Sequence, residues 1–192
     1  MEPRASRGMT VEEYIALDRS SEDRWEYVDG EAYAMAGGST PHALVTGNLF
    51  YELRRALEGK NCVPFNQAQK IATVRTSAFH YPDASVVCPP FAKDARDENA
   101  FTSPVALFEV LSPTTADYDR GEKFEVHYRS IDTLREYVLV NPERRRVEYR
   151  RVLDAERFSS LFIVAGALRM EVLGIEIPLD RLWTDLDRVR AP

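Results

Sequence analysis

Apolar positions at the start of the chain follow a helical period and then switch to strand runs. After Thr10, the residues Val11, Tyr14, Ile15 and Leu17 fall on one helical face. Thr10 and Glu13 have capping-box spacing, so a helix is predicted over 10–18. The run WEYV at 25–28, then Asp29 and Gly30, then EAYAM at 31–35 reads as a hairpin, because Asp-Gly suits the positive φ angles of a two-residue turn. Gly37 and Gly38 break the second strand. Thr40 then reads as an N-cap, with Pro41 at the first helical position. Val45, Leu49, Leu53 and Leu57 continue at helical spacing to a stop at Gly59, which predicts a helix over about 41–58.

Further strands are predicted over 62–66, 69–75, 83–88 and 105–111. The run SPTT at 112–115 caps a predicted helix over about 116–129. A strand follows over 136–140, then an antiparallel pair over 145–152 and 158–164, a strand over 168–172 and a short helix over 178–183. Residues 1–8 carry no period and are expected to be a mobile arm, with 9–192 forming one domain. The order predicts an α/β or α+β fold: a mixed β-sheet flanked by helices, with an N-terminal helix and hairpin and a C-terminal antiparallel extension.

Composition narrows the function. The 192 residues are 44% apolar and 29% charged, which excludes disorder and a coiled coil. The longest apolar run, 161–168, is far shorter than the ~20 residues of a membrane helix, so no membrane partner is expected. The first eight residues contain two arginines and no apolar stretch behind them, so a cytoplasmic protein without a secretory signal is expected. Cys62 and Cys88 are accordingly expected as free, small core residues. A net charge of −6 argues against coating nucleic acid through bulk charge but allows a local basic groove. No phosphate-binding lysine loop, dinucleotide glycine motif or serine elbow occurs, and His80 and His127 lack zinc-ligand spacing.

Glu109 interrupts a near-continuous apolar strand, VALFEVL at 105–111, just before that strand ends. A carboxylate there costs several kcal/mol unless something pairs with it, so it reads as a metal ligand or catalytic acid rather than one half of a structural bridge. Asp83 follows Pro82 at the head of another apolar strand. If the two strands are neighbours, their carboxylates converge and repel unless a cation such as Mg²⁺ or Mn²⁺ lies between them. Lys123 is either one half of a surface i, i+4 pair with Asp119 or an ammonium aimed at the site. Glu26 and His42 are secondary candidates. The position of His42 in the first turn of its helix predicts a depressed pKa and a neutral ring. Arg144, Arg146 and Arg150 form the dense basic stretch, readable as a charged edge strand or as a track for backbone phosphate. The apolar stretch 161–164, with Leu182 and Trp183, suggests a homodimer interface.

An Asp after Pro, a strand bearing Glu and then a Lys resemble the PD-(D/E)XK nuclease superfamily. More closely, WEYVDGE at 25–31, YPD at 81–83, EVLSPTT at 109–115 and DRGEK at 119–123 with Tyr128 resemble the Uma-type family of putative restriction endonucleases, over roughly 9–183. The superfamily pattern would put a lysine two residues after Glu109, where this chain has Leu111. The resemblance therefore implies a migrated lysine, Lys123, beside the metal ligands Asp83 and Glu109. It also implies Mg²⁺- or Mn²⁺-dependent cleavage of DNA, on a restriction-endonuclease-like fold. The rival reading is a non-catalytic relative that keeps this fold for nucleic-acid binding or assembly.

Overall fold

Strand and helix boundaries in the computed structural model cover residues 6–35, 37–154 and 156–190. In chain order these residues form β1 (Ser6–Arg7), α1 (Val11–Ser20), β2 (Trp25–Val28), β3 (Glu31–Ala34), α2 (Thr40–Ala56), β4 (Val63–Asn66), β5 (Lys70–Thr73), β6 (Ala78–His80), β7 (Ala84–Val87), β8 (Ala100–Phe101) and β9 (Pro104–Val110). The chain continues with α3 (Ala116–Arg120), β10 (Glu136–Asn141), β11 (Arg146–Val152), β12 (Phe158–Ile163), β13 (Ala167–Met170), β14 (Ile175–Pro178) and α4 (Leu179–Leu182). The predicted caps form as expected at α1, where Thr10 Oγ1 accepts from the Glu13 amide and Glu13 Oε2 accepts from the Thr10 amide. At α2 the cap is Ser39, one residue earlier than predicted. The Asp29-Gly30 turn has φ of 50° and 81°, as the hairpin reading requires.

The expected mixed sheet flanked by helices is present, and a second sheet accompanies it. The larger core surrounds a sheet of strand order β12-β11-β10-β9-β7-β4, in which β9 and β10 run parallel and the other pairings are antiparallel. One face of this sheet packs Ala106, Phe108 and Val110 against Val45, Leu49 and Leu53 of α2, with β13, β14 and α4 closing that layer. The other face packs Leu107, Leu111, Tyr137 and Leu139 against Phe124, Tyr128, Ile131 and Leu134. The second sheet, β1-β3-β2-β6-β5-β8, is covered by α1 through Tyr14 and Ile15. A buried cation fastens α1 to that sheet: Lys70 Nζ lies 2.7 Å from Asp18 Oδ2 and 2.5 Å from Asp97 Oδ2. Tyr81 donates to the same Asp18 oxygen at 2.8 Å.

Several expectations change. Ser6 and Arg7, expected within the arm, pair antiparallel with Ala32 and Glu31; residues 1–5 lie outside the described residues. Cys62 and Cys88, expected as free thiols, are joined by a disulfide, with Cα atoms 4.1 Å apart. The cause is register: Val63 pairs with Val87, which sets the two cysteines opposite each other at the next step. Leu182, expected on an apolar surface, is fully buried against α2, whereas Leu161, Phe162 and Val164 are exposed. No helix among the described residues is long and apolar enough to cross a membrane.

Candidate active site

Strand alternation positions the first carboxylate. Because Phe108 and Val110 face α2, Glu109 points to the opposite layer, on the same side as Leu107 and Leu111. Beside it, β7 pairs antiparallel with β9, Ala84 opposite Phe108. Asp83 stands just before β7, and its Oδ2 accepts the Val110 amide at 2.7 Å. The aspartate thus extends the ladder by one side-chain bond, and it brings the two carboxylates to one end of neighbouring strands. His42, in the first turn of α2, approaches the same oxygen with Nε2 at 3.3 Å. Its ring lies over Gly38, where a Cβ would come within 2.6 Å of Nδ1, so a side chain there would displace the ring.

Lys123 arrives by a route the helical period does not predict. The expected helix over 116–129 breaks after Arg120: Gly121 has φ −98° and ψ −108°, and Lys123–His127 form a π-helical turn followed by a 3₁₀ turn, Tyr128–Ser130. Carbonyls at the break find other donors. The Tyr137 hydroxyl donates to the Asp119 carbonyl and Arg150 Nη1 to the Arg120 carbonyl, both at 2.8 Å. A wider turn of this kind is common at functional sites. It carries Lys123 inward, with Nζ 2.9 Å from Glu109 Oε1, 3.3 Å from Glu26 Oε1 and 3.7 Å from Asp119 Oδ1. The Asp119–Lys123 pair is therefore buried, not a surface pair. Glu26 is held by the Tyr81 amide at 2.9 Å, and Glu109 Oε1 also accepts from the Tyr128 hydroxyl at 2.9 Å.

Burial pushes the Glu109 carboxyl well above the usual carboxylate range; Lys123 opposes this, and Asp119, Asp83 and Glu26 reinforce it. Asp119 is raised for the same reason. Burial works against the Lys123 charge, yet Glu109, Glu26 and Asp119 outweigh it and raise the ammonium well above its ordinary value. The three carboxylates thus hold Lys123 as the ammonium. His42 is raised, not depressed as predicted, chiefly because it hydrogen-bonds Asp83; that partner outweighs burial and the positive helix end.

Glu26, His42, Asp83, Glu109, Asp119 and Lys123 line one cleft of about 280 Å³. Among the described residues, no three His, Cys, Asp or Glu side chains are arranged to hold a metal ion. Asp83 and Glu109 are the two residues that could hold one. Asp83 Oδ1 and Glu109 Oε2 make no hydrogen bond among the described residues, since the contacts of both groups run through Oδ2 and Oε1. Two carboxylates completed by waters and substrate phosphates are a common Mg²⁺ arrangement.

The basic stretch does not form one track. β11 is an interior strand between β10 and β12, so it is not an edge. Arg150 is buried, bonded to Glu148 Oε1 at 2.7 Å, and stacked 4.8 Å from the Phe124 ring. Arg146 is half-buried over Phe162, and Arg144 is exposed in the turn before β11. Sequence reasoning missed the roles of Asp119, Tyr128 and Gly38. Asp119 and Tyr128 stood within the recognised motifs, but only the broken helix and the burial of the tyrosine show why.

The family model of Uma2, described as "Putative restriction endonuclease", matches residues 11–162. Two Synechocystis sp. proteins described as uncharacterized are similar along most of their length. The protein slr1290 is 31% identical over 93% of each chain, and sll1609 is 30% identical over 77% of this chain and 84% of its own. A crystal structure of "a putative nuclease belonging to DUF820" from Anabaena variabilis superposes with a TM-score of 0.74, covering 93% of this chain and 99% of that one. At 14% identity that likeness concerns the fold. With the model spanning the hairpin, both carboxylate-bearing strands and the lysine turn, the chain belongs to the Uma2 family.

Proposed function

We propose that the chain is a Mg²⁺- or Mn²⁺-dependent endonuclease that hydrolyses phosphodiester bonds in DNA. The observation that carries this reading is the convergence of Asp83, Glu109 and Lys123 on one cleft, from two strands and a separate turn. Asp83 and Glu109 would hold the ion through their unbonded oxygens. Such an ion supplies Lewis acidity, acidifying a water and neutralising phosphate oxygens. Lys123 holds Glu109 by Oε1 and presents a permanent positive charge where negative charge develops on the phosphorane oxygens. Asp119 and Glu26 keep that ammonium charged, and Tyr128 fixes the rotamer of Glu109. Of the three arginines of the basic stretch, Arg144 and Arg146 are left to meet backbone phosphate.

The test is Mn²⁺ titration calorimetry beside a plasmid-cleavage assay. Wild type should bind Mn²⁺ and cut; Asp83→Asn should lose both; Lys123→Ala should keep metal binding and lose cleavage. Wild type that binds no Mn²⁺ at millimolar metal and cuts no nucleic acid overturns the reading in favour of a non-catalytic relative.

A further inference from the structure

We propose that Tyr118 is a phosphate-contacting residue of the cleft and that His80, buried behind it, is the positioning residue that turns its phenolic hydrogen toward the substrate. The ligand named here rests on the nuclease reading; the orientation does not. His80, on β6, is fully buried, where an imidazole is costlier than an apolar side chain. It packs with its ring 5.1 Å from that of His127 and 5.3 Å from that of Tyr128. Its hydrogen bond is from Nε2 to the Tyr118 hydroxyl oxygen, at 3.2 Å, while Nδ1 is buried without a partner among the described residues.

That asymmetry decides which nitrogen carries the proton. Burial and the Lys123 charge push the imidazole well below its ordinary range, so the ring is neutral and holds one hydrogen. A hydrogen on Nδ1 would leave a buried N–H without an acceptor, an orphan that folded proteins rarely tolerate. A hydrogen on Nε2 is donated to the Tyr118 oxygen and leaves a bare lone pair on Nδ1, the lesser cost. The phenol oxygen is then the acceptor, and its own hydrogen has no acceptor among the described residues.

Tyr118 lines the cleft that contains Asp83, Glu109 and Lys123. It also forms part of the wall of a neighbouring depression lined by Asp29, Glu31 and Glu122. Burial raises the phenol above its ordinary value, so the hydrogen stays on the oxygen. The depression is lined by no Lys or Arg, whereas the cleft carries Lys123 together with the two carboxylates proposed to hold a metal ion, so a phosphate is drawn to the cleft side of Tyr118. A phosphoryl oxygen fits that position.

The experiment measures anisotropy of a fluorescein-labelled 20-base-pair DNA duplex with Ca²⁺ in place of Mg²⁺, together with ¹⁵N NMR of the histidine rings. Tyr118→Phe should weaken duplex binding ~10- to 100-fold, the loss of one hydrogen bond to a charged group. His80→Leu should reproduce that loss without lowering the melting temperature, and His80→Gln, which keeps a donor, should recover part of it. In wild type, His80 should show a protonated Nε2 and a bare Nδ1. A protonated Nδ1, or a Tyr118→Phe protein that binds the duplex as wild type does, overturns the proposal. Wild type that binds no duplex overturns the nuclease reading and the ligand named here, while the NMR result still decides the orientation.

Discussion

Replacing Lys123 with Met keeps the length of the side chain and removes the charge from among three buried carboxylates. Glu109, Glu26 and Asp119 stand 2.9, 3.3 and 3.7 Å from that charge. A unit pair at 4 Å contributes about 4 kcal/mol at an effective dielectric of 20, so loss of the cation is severe if the carboxylates stay ionised. They have a cheaper response: one of them takes up a proton. For an acid whose ordinary pKa is near 4, holding a proton at pH 7 costs about 4 kcal/mol. That limits the destabilisation to the ~3–5 kcal/mol seen when one partner of a buried ion pair is removed. It corresponds to a fall in melting temperature of roughly 6–20 °C for a chain of this size. The extra proton is bound by the folded variant and not by the unfolded chain, so stability falls as pH rises. The deficit against wild type should shrink by ~1.4 kcal/mol for each pH unit lowered from 8 toward 5.5. Thermal melts in EDTA across that range measure it. A deficit that does not change with pH, or a variant as stable as wild type at pH 8, refutes the reasoning.

Gly38→Ala places a methyl within 2.6 Å of His42 Nδ1, so the ring should turn from Asp83 and its NMR titration midpoint should fall toward the ordinary histidine value; an unmoved midpoint would show that the ring needs no space there. The disulfide closes a 26-residue separation, worth about 3.5 kcal/mol by chain entropy, so dithiothreitol should lower the melting temperature by roughly 7–14 °C. Mass spectrometry after alkylation without reductant checks the bond: two labelled cysteines would exclude it. The edge strand β12 carries exposed Leu161 and Phe162 and no charged residue, which suits antiparallel pairing with a second copy. Light scattering should give twice the chain mass for wild type and the chain mass for Leu161→Lys with Phe162→Glu; a monomeric wild type ends the idea.

Local signals located most elements and the two strand carboxylates of the candidate cleft. Glu109 was legible because an acid within VALFEVL has no cheap place to go, and Asp83 because Pro82 marks the entry of an apolar strand. The residues that failed to read did so for non-local reasons. Nothing in DYDRGEKFEVHY marks a π turn, because the turn depends on Tyr137 and Arg150, which accept the task of bonding freed carbonyls from strands far along the chain. Arg150 consequently reads as surface charge in sequence and is interior in the fold. The disulfide depends on the register of β4 against β7, which one-dimensional alternation does not specify. The strands β6 and β8 are too short to show a period.

The acid and the ammonium of the cleft belong to different layers. Glu109 is carried by the sheet, whereas Lys123 is carried by the segment that lies across it through Phe124 and Tyr128. A lysine two residues along the same strand would keep its distance to the acid for as long as the strand existed. Here the separation is a property of interlayer packing, so it is lost whenever the overlying segment lifts, even if every strand survives. The cleft is therefore built like a fuse: the activity proposed for it should be lost, as one layer loosens, at a temperature or denaturant concentration below that needed to melt the sheet.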